Sequence, residues 1–219
     1  RRSFNDATRL FYSMDEVKGH NCAEIRALSK PVLKIEAKNF FKAARRVTAD
    51  AAQGLQRDAF LTEEANVMLT SNLWAEGGLV NGMQEKVGDI VWTPGEETPA
   101  LSNFVVIRFN GYTDPAWSGN PRYGGCVPIA AVETSWSATG DGGKQESREQ
   151  LLFALFWAIT MHKSQGQTVD KAVVDLRKSE VTAGLTFVRL SRAKRLVDLL
   201  VDHVPFDRLS KLRENIFEA

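Results

Sequence analysis

Cysteine is scarce in this chain: Cys22 and Cys126 stand far apart in 219 residues. Two such thiols make no disulfide framework and suit a reducing compartment. His20 lies two residues before Cys22, but no second pair of ligands follows to complete a zinc site, so no metal site is expected within the chain. Long apolar runs are absent as well: none reaches the roughly 18 residues that a membrane span requires, and no membrane partner is expected. No apolar stretch follows Arg1–Arg2–Ser3–Phe4, so the start lacks the pattern of a secretory signal. An excess of one charge is missing too. Lys and Arg number 28 against 27 Asp and Glu, a net charge of +1, so a polyanionic partner must be met by a local patch. Internal repeats and low-complexity tracts are not found. The chain opens without an initiator methionine, and the expectation is that it is cut from something longer.

What is present is ordinary globular composition, 43% hydrophobic and 25% charged, at a length that suits one large domain or two small ones. Arg9–Leu10–Phe11–Tyr12 is a short apolar run ending in Ser13. Asp15 and Glu16 then open a helical stretch to about Leu28, where acidic residues suit the N-terminal end of the dipole. Residues 31–60 are mixed and locally basic and read as a connector with some helix. From 65 to 136 the pattern turns to short strands, at 67–69, 86–92 and 104–109, punctuated by Asn81–Gly82, Pro94–Gly95 and Asn110–Gly111. Strands at this spacing suggest a small β-barrel. Gly140–Asp141–Gly142–Gly143 reads as a hinge. Past Leu151 the α/β pattern returns: one buried strand from Phe153 to Met161, a second at 172–176, a helix over 183–194, a third strand at 197–201 and an amphipathic helix over 206–217. The strand near residue 10 is expected to join the sheet formed after 150. The organisation expected is therefore 1–60 as the first part of an α/β domain with a connector, 61–148 as an inserted β module, and 149–219 as the second part.

Two segments carry chemistry. Trp157 to Thr168 delivers Thr160, His162, Lys163, Ser164, Gln165 and Gly166 at the C-terminal edge of a buried strand, where open α/β sheets bind ligands. Hydroxyls, a fixed cation and an unhindered backbone amide suit a phosphate or phosphodiester. A polar loop that merely caps a strand would read the same way. The second segment, Gly184 to Arg195, spaces Arg189, Arg192 and Arg195 by three residues along one helical flank. Such a stripe is either a phosphate reader or a solvated basic face.

Together these segments resemble a known family. Thr160–Met161–His162–Lys163–Ser164–Gln165–Gly166 is similar to the fifth motif of the Pif-type branch of superfamily-one DNA helicases, and Phe187–Val188–Arg189–Leu190–Ser191–Arg192 to their sixth. Arg9 to Ser13, with Asn21 after it, resembles their fourth. Residues 67–74 and 78–82 resemble the entry to that family's inserted barrel. The resemblance spans essentially the whole chain with the motifs in family order. It departs from the family at Arg189, where alanine is usual.

The resemblance implies a RecA-like second motor domain, a parallel sheet with flanking helices, interrupted by a Src-homology-type β-barrel. It implies an ATP-dependent 5′-to-3′ helicase in which Arg192 reaches the γ-phosphate as an arginine finger. Gln165 and Gly166 then face the nucleotide, and Thr160, His162, Lys163 and Ser164 approach DNA. Asn72 and Asn81 would line the strand's path or simply serve turns. The partners implied are single-stranded DNA and a preceding first motor domain, with ATP and magnesium as cofactors, the magnesium held mainly by that domain. A monomer is expected, in the nucleus or the mitochondrion.

ATP hydrolysis also needs a Gly-rich loop ending in Gly-Lys-Ser/Thr. The only Gly-Lys here is Gly143–Lys144, followed by Gln145, so the chain by itself is not expected to hydrolyse ATP. From Leu151 onward 11 Lys and Arg face 8 Asp and Glu, which predicts weak, salt-sensitive binding to single strands. The rival readings are a degenerate, non-enzymatic nucleic-acid-binding module, and a peptide-binding barrel whose groove would use Trp74, Trp92, Trp117 and Trp136.

Overall fold

The computed structural model describes residues 3–41, 43–91, 104–108, 119–137, 145–176 and 190–203. Its first elements are β1 (Thr8–Phe11), α1 (Met14–Ala27), β2 (Leu33–Glu36), β3 (Lys38–Asn39), β4 (Asp58–Leu61), β5 (Asn66–Leu69), β6 (Gln84–Val91) and β7 (Phe104–Arg108). Next come β8 (Cys126–Ile129), β9 (Val132–Ser137), β10 (Gln145–Gln150), β11 (Phe153–Leu155), β12 (Ala158–Thr160), β13 (Ala172–Asp175) and β14 (Leu199–Asp202). Short 3-10 turns lie at Ala43–Arg46, Pro121–Tyr123 and Leu196–Asp198.

The chain divides into two compact units, residues 1–23 with 157–219, and residues 24–156. The first holds a four-stranded sheet in the order β12-β1-β13-β14, parallel at every pairing. The strand near residue 10 does join strands from after 150. Leu10 and Val174 are fully buried and Ile159 and Val173 nearly so, as expected for strands covered on both faces. α1 follows β1 directly and starts with a capping box: the Ser13 hydroxyl donates to Glu16 Oε2 at 2.7 Å, and that carboxylate accepts the Ser13 N–H at 3.1 Å. Asp15 and Glu16 thus open the helix, as their position predicts.

The second unit is antiparallel. A five-stranded sheet runs β11-β5-β6-β7-β8, and β3-β10-β9 and β2-β4 form smaller sheets. The expected strands at 67–69, 86–92 and 104–109 appear as β5, β6 and β7. A closed barrel does not: among the described residues these strands make open sheets.

Two readings need correction. Phe153 to Met161 is not one strand. β11 pairs with β5 in the antiparallel sheet, whereas β12 pairs with β1 in the parallel one. The switch falls at a hydrogen-bond change, since the Phe156 N–H goes to the Asn66 carbonyl while the next N–H, of Trp157, goes to the Asn21 side chain. A continuous apolar run carries no mark of that exchange. Residues 31–60 are more than a connector with helix. β2 pairs with β4, and β3 pairs with β10 more than a hundred residues away. Residues 24–60 and 149–156 therefore group with the antiparallel unit, which reaches beyond the 61–148 module drawn from sequence. The expected hinge at 140–143 and the tail helix at 206–217 lie outside the described residues, as does most of the helix over 183–194.

Candidate functional site

β12 ends at Thr160, and the chain turns at once through 161–166. The turn is made by its own polar groups. Ser164 N–H donates to the Thr160 carbonyl at 3.0 Å, and the Ser164 hydroxyl donates to the Met161 carbonyl at 2.7 Å. The Lys163 N–H reaches Thr160 Oγ1 at 3.4 Å. Gln165 and Gln167 N–H groups bond back to the His162 and Ser164 carbonyls. Thr160 and Ser164 are buried, so their hydroxyls shape the loop from inside. His162, Gln165 and Gly166 face solvent, with Lys163 half-buried.

Gly166 holds φ +80°, a left-handed conformation that glycine adopts without strain. A Cβ there would meet nothing within 4 Å, so the glycine answers a backbone demand and not a shortage of space. Its N–H makes no bond within the loop among the described residues.

Arg192 lies against this loop. Its Nη1 donates to the carbonyls of Ser164 and Gln167, each at 3.2 Å, and Nη2 donates to the Ser191 hydroxyl at 2.9 Å. Its carbonyl accepts the Val169 N–H at 3.1 Å, beside a parallel bridge between Val169 and Ala193. Gln167 Oε1, in the same loop, is buried without a hydrogen-bond partner among the described residues. The two segments singled out from sequence are thus one cluster. Arg189 lies outside the described residues, and Arg195 pairs with buried Asp198 at 2.5 Å.

Behind β12 sits a residue whose role the motif comparison did not reveal. Asn21, buried in α1, accepts the N–H groups of Trp157 (3.0 Å) and Ala158 (2.8 Å) and donates to the Ala158 carbonyl (3.2 Å). It clamps the entry of the strand that carries the loop. An asparagine inside a helix is a poor helix former and is the signal that could have flagged it.

Asn72 and Asn81 belong to the other unit and meet each other: Asn72 Oδ1 accepts the Asn81 N–H at 2.8 Å. That bond ties two sides of a small loop in which Trp74 and Leu79 form an antiparallel bridge. Asn72 therefore serves the turn. Among the tryptophans, Trp136 packs against the Ala52–Leu55–Leu152 cluster, and Trp92 and Trp117 lie outside the described residues.

The donor set of the loop, with an exposed glycine amide, Lys163 and an adjacent guanidinium, fits a phosphoryl group. A metal finds no matching set: no group of three or more His, Cys, Asp or Glu among the described residues could hold one. No described helix is long and apolar enough to cross a membrane.

The parallel sheet, with this loop at the end of one of its strands, makes the unit an α/β fold. Comparison with known proteins narrows this. No protein-family model matches the chain. An ATP-dependent DNA helicase PIF1 of Danio rerio is 33% identical over 195 residues, which cover 89% of this chain and 27% of that protein. A Pif1 helicase structure from Candida albicans superposes with a TM-score of 0.70 at 20% identity, covering all of this chain and 51% of that one. A Bacteroides Pif1 structure bound to single-stranded DNA gives 0.60 at 20% identity over 98% and 47%. The chain is a relative of the Pif1-type DNA helicases, and it spans about a quarter of the length of the curated relatives it matches.

Proposed function

We propose that the chain is the C-terminal portion of an ATP-dependent 5′-to-3′ DNA helicase, supplying the arginine finger and part of the single-stranded DNA track. The observation that carries this reading is Arg192 resting on the Ser164 and Gln167 carbonyls. A guanidinium bonded to neutral carbonyls gains by moving to an anionic phosphate, because the acceptor then carries the opposite charge and can be met by two parallel N–H groups. On that move the loop loses two donors, and the positions of His162 and Lys163 respond. Nucleotide state is thereby coupled to the DNA backbone through one short loop. Arg192 stabilises charge on the transferring phosphoryl group, and Gln165 and Gly166 border the nucleotide. His162 and Lys163 meet the strand, while Thr160 and Ser164 hold their backbone in place.

In this reading the antiparallel unit corresponds to the family's inserted Src-homology-type barrel, where Asn81 is exposed beside the strand's path. Magnesium and the phosphate loop come from a preceding motor domain, and the protein works as a monomer in the nucleus or the mitochondrion. Joined to a first motor domain with a phosphate loop, the chain should support DNA-stimulated ATP hydrolysis. Arg192→Ala should then lower turnover by about 10³–10⁵-fold. The chain alone should show none. Turnover by the isolated chain that disappears with Arg192→Ala would overturn this division of labour. DNA binding without turnover in the joined protein would identify the rival, a non-enzymatic nucleic-acid-binding module.

A further inference from the structure

Residues 37–49 hold four cations, Lys38, Lys42, Arg45 and Arg46, and no acidic residue. Among them stand Phe40 and Phe41, 56% and 55% exposed. Adjacent phenylalanines in water are unusual on a surface that has no apolar work to do.

The turn that carries them is anchored. Arg148 of β10 is fully buried and points its guanidinium into the back of this segment. It donates to the Leu55 carbonyl at 2.8 Å, the Val47 carbonyl at 3.1 Å, the Ala44 carbonyl, and Asn39 Oδ1 at 3.0 Å. The Phe40 N–H donates to the Ser147 carbonyl at 3.2 Å. The backbone on both sides of the two rings is therefore pinned to a strand. The neighbouring cations are loosely engaged. Arg45 pairs with exposed Glu36 at 3.5 Å and exposed Lys38 with half-buried Glu149 at 3.3 Å, and pairs open to water on at least one side are weak and exchangeable. Arg46 is exposed and has no ion-pair partner among the described residues.

We propose that Phe40 and Phe41, flanked by Arg45 and Arg46, form a stacking contact for single-stranded nucleic acid. Bases lie on the rings and phosphodiesters meet the guanidiniums. Aromatic faces interleaved with cations are the recurring chemistry of sequence-tolerant strand binding. An apolar peptide would not call for four cations, and an acidic peptide would not call for two rings. The contact rests on the reading that this chain acts on nucleic acid, but it uses residues of the antiparallel unit and none of the 160–168 loop.

The test is fluorescence anisotropy of a labelled oligo-dT against the purified chain at two salt concentrations. Phe40→Ala/Phe41→Ala should weaken binding about tenfold or more, with an unchanged thermal melt. Phe40→Leu/Phe41→Leu, apolar but without a ring face, should weaken it similarly. Arg45→Gln/Arg46→Gln should flatten the salt dependence. An iodouracil-containing oligonucleotide should crosslink within 38–46. If both phenylalanine pairs bind as the unaltered chain does while Lys163→Ala weakens binding, this contact is wrong and the proposed function stands. If the unaltered chain binds no oligonucleotide at either salt, both fall. If poly-glutamate competes as well as oligo-dT and loses equally in the phenylalanine variants, the surface belongs to an acidic polypeptide and the assignment is overturned.

Discussion

The two units each contain an arginine whose guanidinium donates to backbone carbonyls, and burial gives them opposite uses. Arg148 is fully enclosed, with Trp136 stacked 5.9 Å from its Cζ and three carbonyls and an amide oxygen at its nitrogens. Among the described residues no carboxylate lies within ion-pair distance of it, and the Asp58 carboxylate offsets its charge only from farther away. Burial lowers its pKa from the usual arginine range, and the like charge of Arg57 adds to this. An arginine nonetheless keeps its proton at neutral pH. Such a cation cannot leave without stranding the carbonyls it serves. Arg192 sits half-exposed on two carbonyls that water could satisfy in its place. The same chemistry is a permanent bracket in one unit and, on the function proposed above, a releasable latch in the other.

That contrast can be broken by experiment. The largest effect expected is on catalysis: Arg192→Ala should lower turnover in the joined protein by the factor given above, yet leave the urea midpoint of the chain nearly unchanged. A large loss of stability in that variant would make Arg192 a second bracket and end the distinction. Arg148→Met should do the reverse. It strands buried carbonyls and should cost on the order of 4 kcal/mol, read as a lowered urea midpoint. Between them falls Asn21→Leu, which leaves the Trp157 and Ala158 N–H groups without their acceptor. It should destabilise by about 2–3 kcal/mol and loosen amide exchange at the start of β12. Gly166→Ala is milder, about 1–2 kcal/mol, because only the positive φ resists it.

The smallest effect is on pH dependence, and it belongs to the antiparallel unit. Burial pushes the Asp58 carboxyl up, but hydrogen bonds from Arg57 and Lys34 outweigh it and hold the pKa below its usual value. Lys34 does the same for exposed Glu36. A folded pKa below the unfolded one means stability that is complete above about pH 4 and is lost as pH falls through the folded value. Asp58→Asn should therefore reduce the acid sensitivity of unfolding slightly, and a melt series between neutral pH and pH 3 would show it.

Much of the parallel unit was legible because its signals are local. Ser13 and Glu16 are three residues apart and make the cap themselves; Ala172 to Asp175 is apolar over a strand's length; and Thr160 to Gly166 is a contiguous motif. The antiparallel unit was legible only where short strand-like runs stand between turn residues, as at β5 to β7. Its edges escaped because β3 and β10 are partners across more than a hundred residues. The break between β11 and β12 escaped for a related reason: Asn21, far upstream, takes the N–H groups of Trp157, just before β12, and of Ala158, its first residue. The candidate residues from Thr160 to Gly166 share one loop because they are contiguous, but which hydroxyls face inward was invisible, since Thr160 and Ser164 are as polar as the exposed His162.

By itself the sequence determined the strand-loop chemistry and its order: an apolar strand, a run of donors ending in glycine, and an arginine downstream. Only the tertiary structure decided that Arg192 rests on that loop's carbonyls, that Arg148 is entombed, and that Phe40 and Phe41 are left in water. Periodicity and motif spacing report contacts a few residues apart. Burial depends on which distant segments return to cover a side chain, and no local pattern encodes that return.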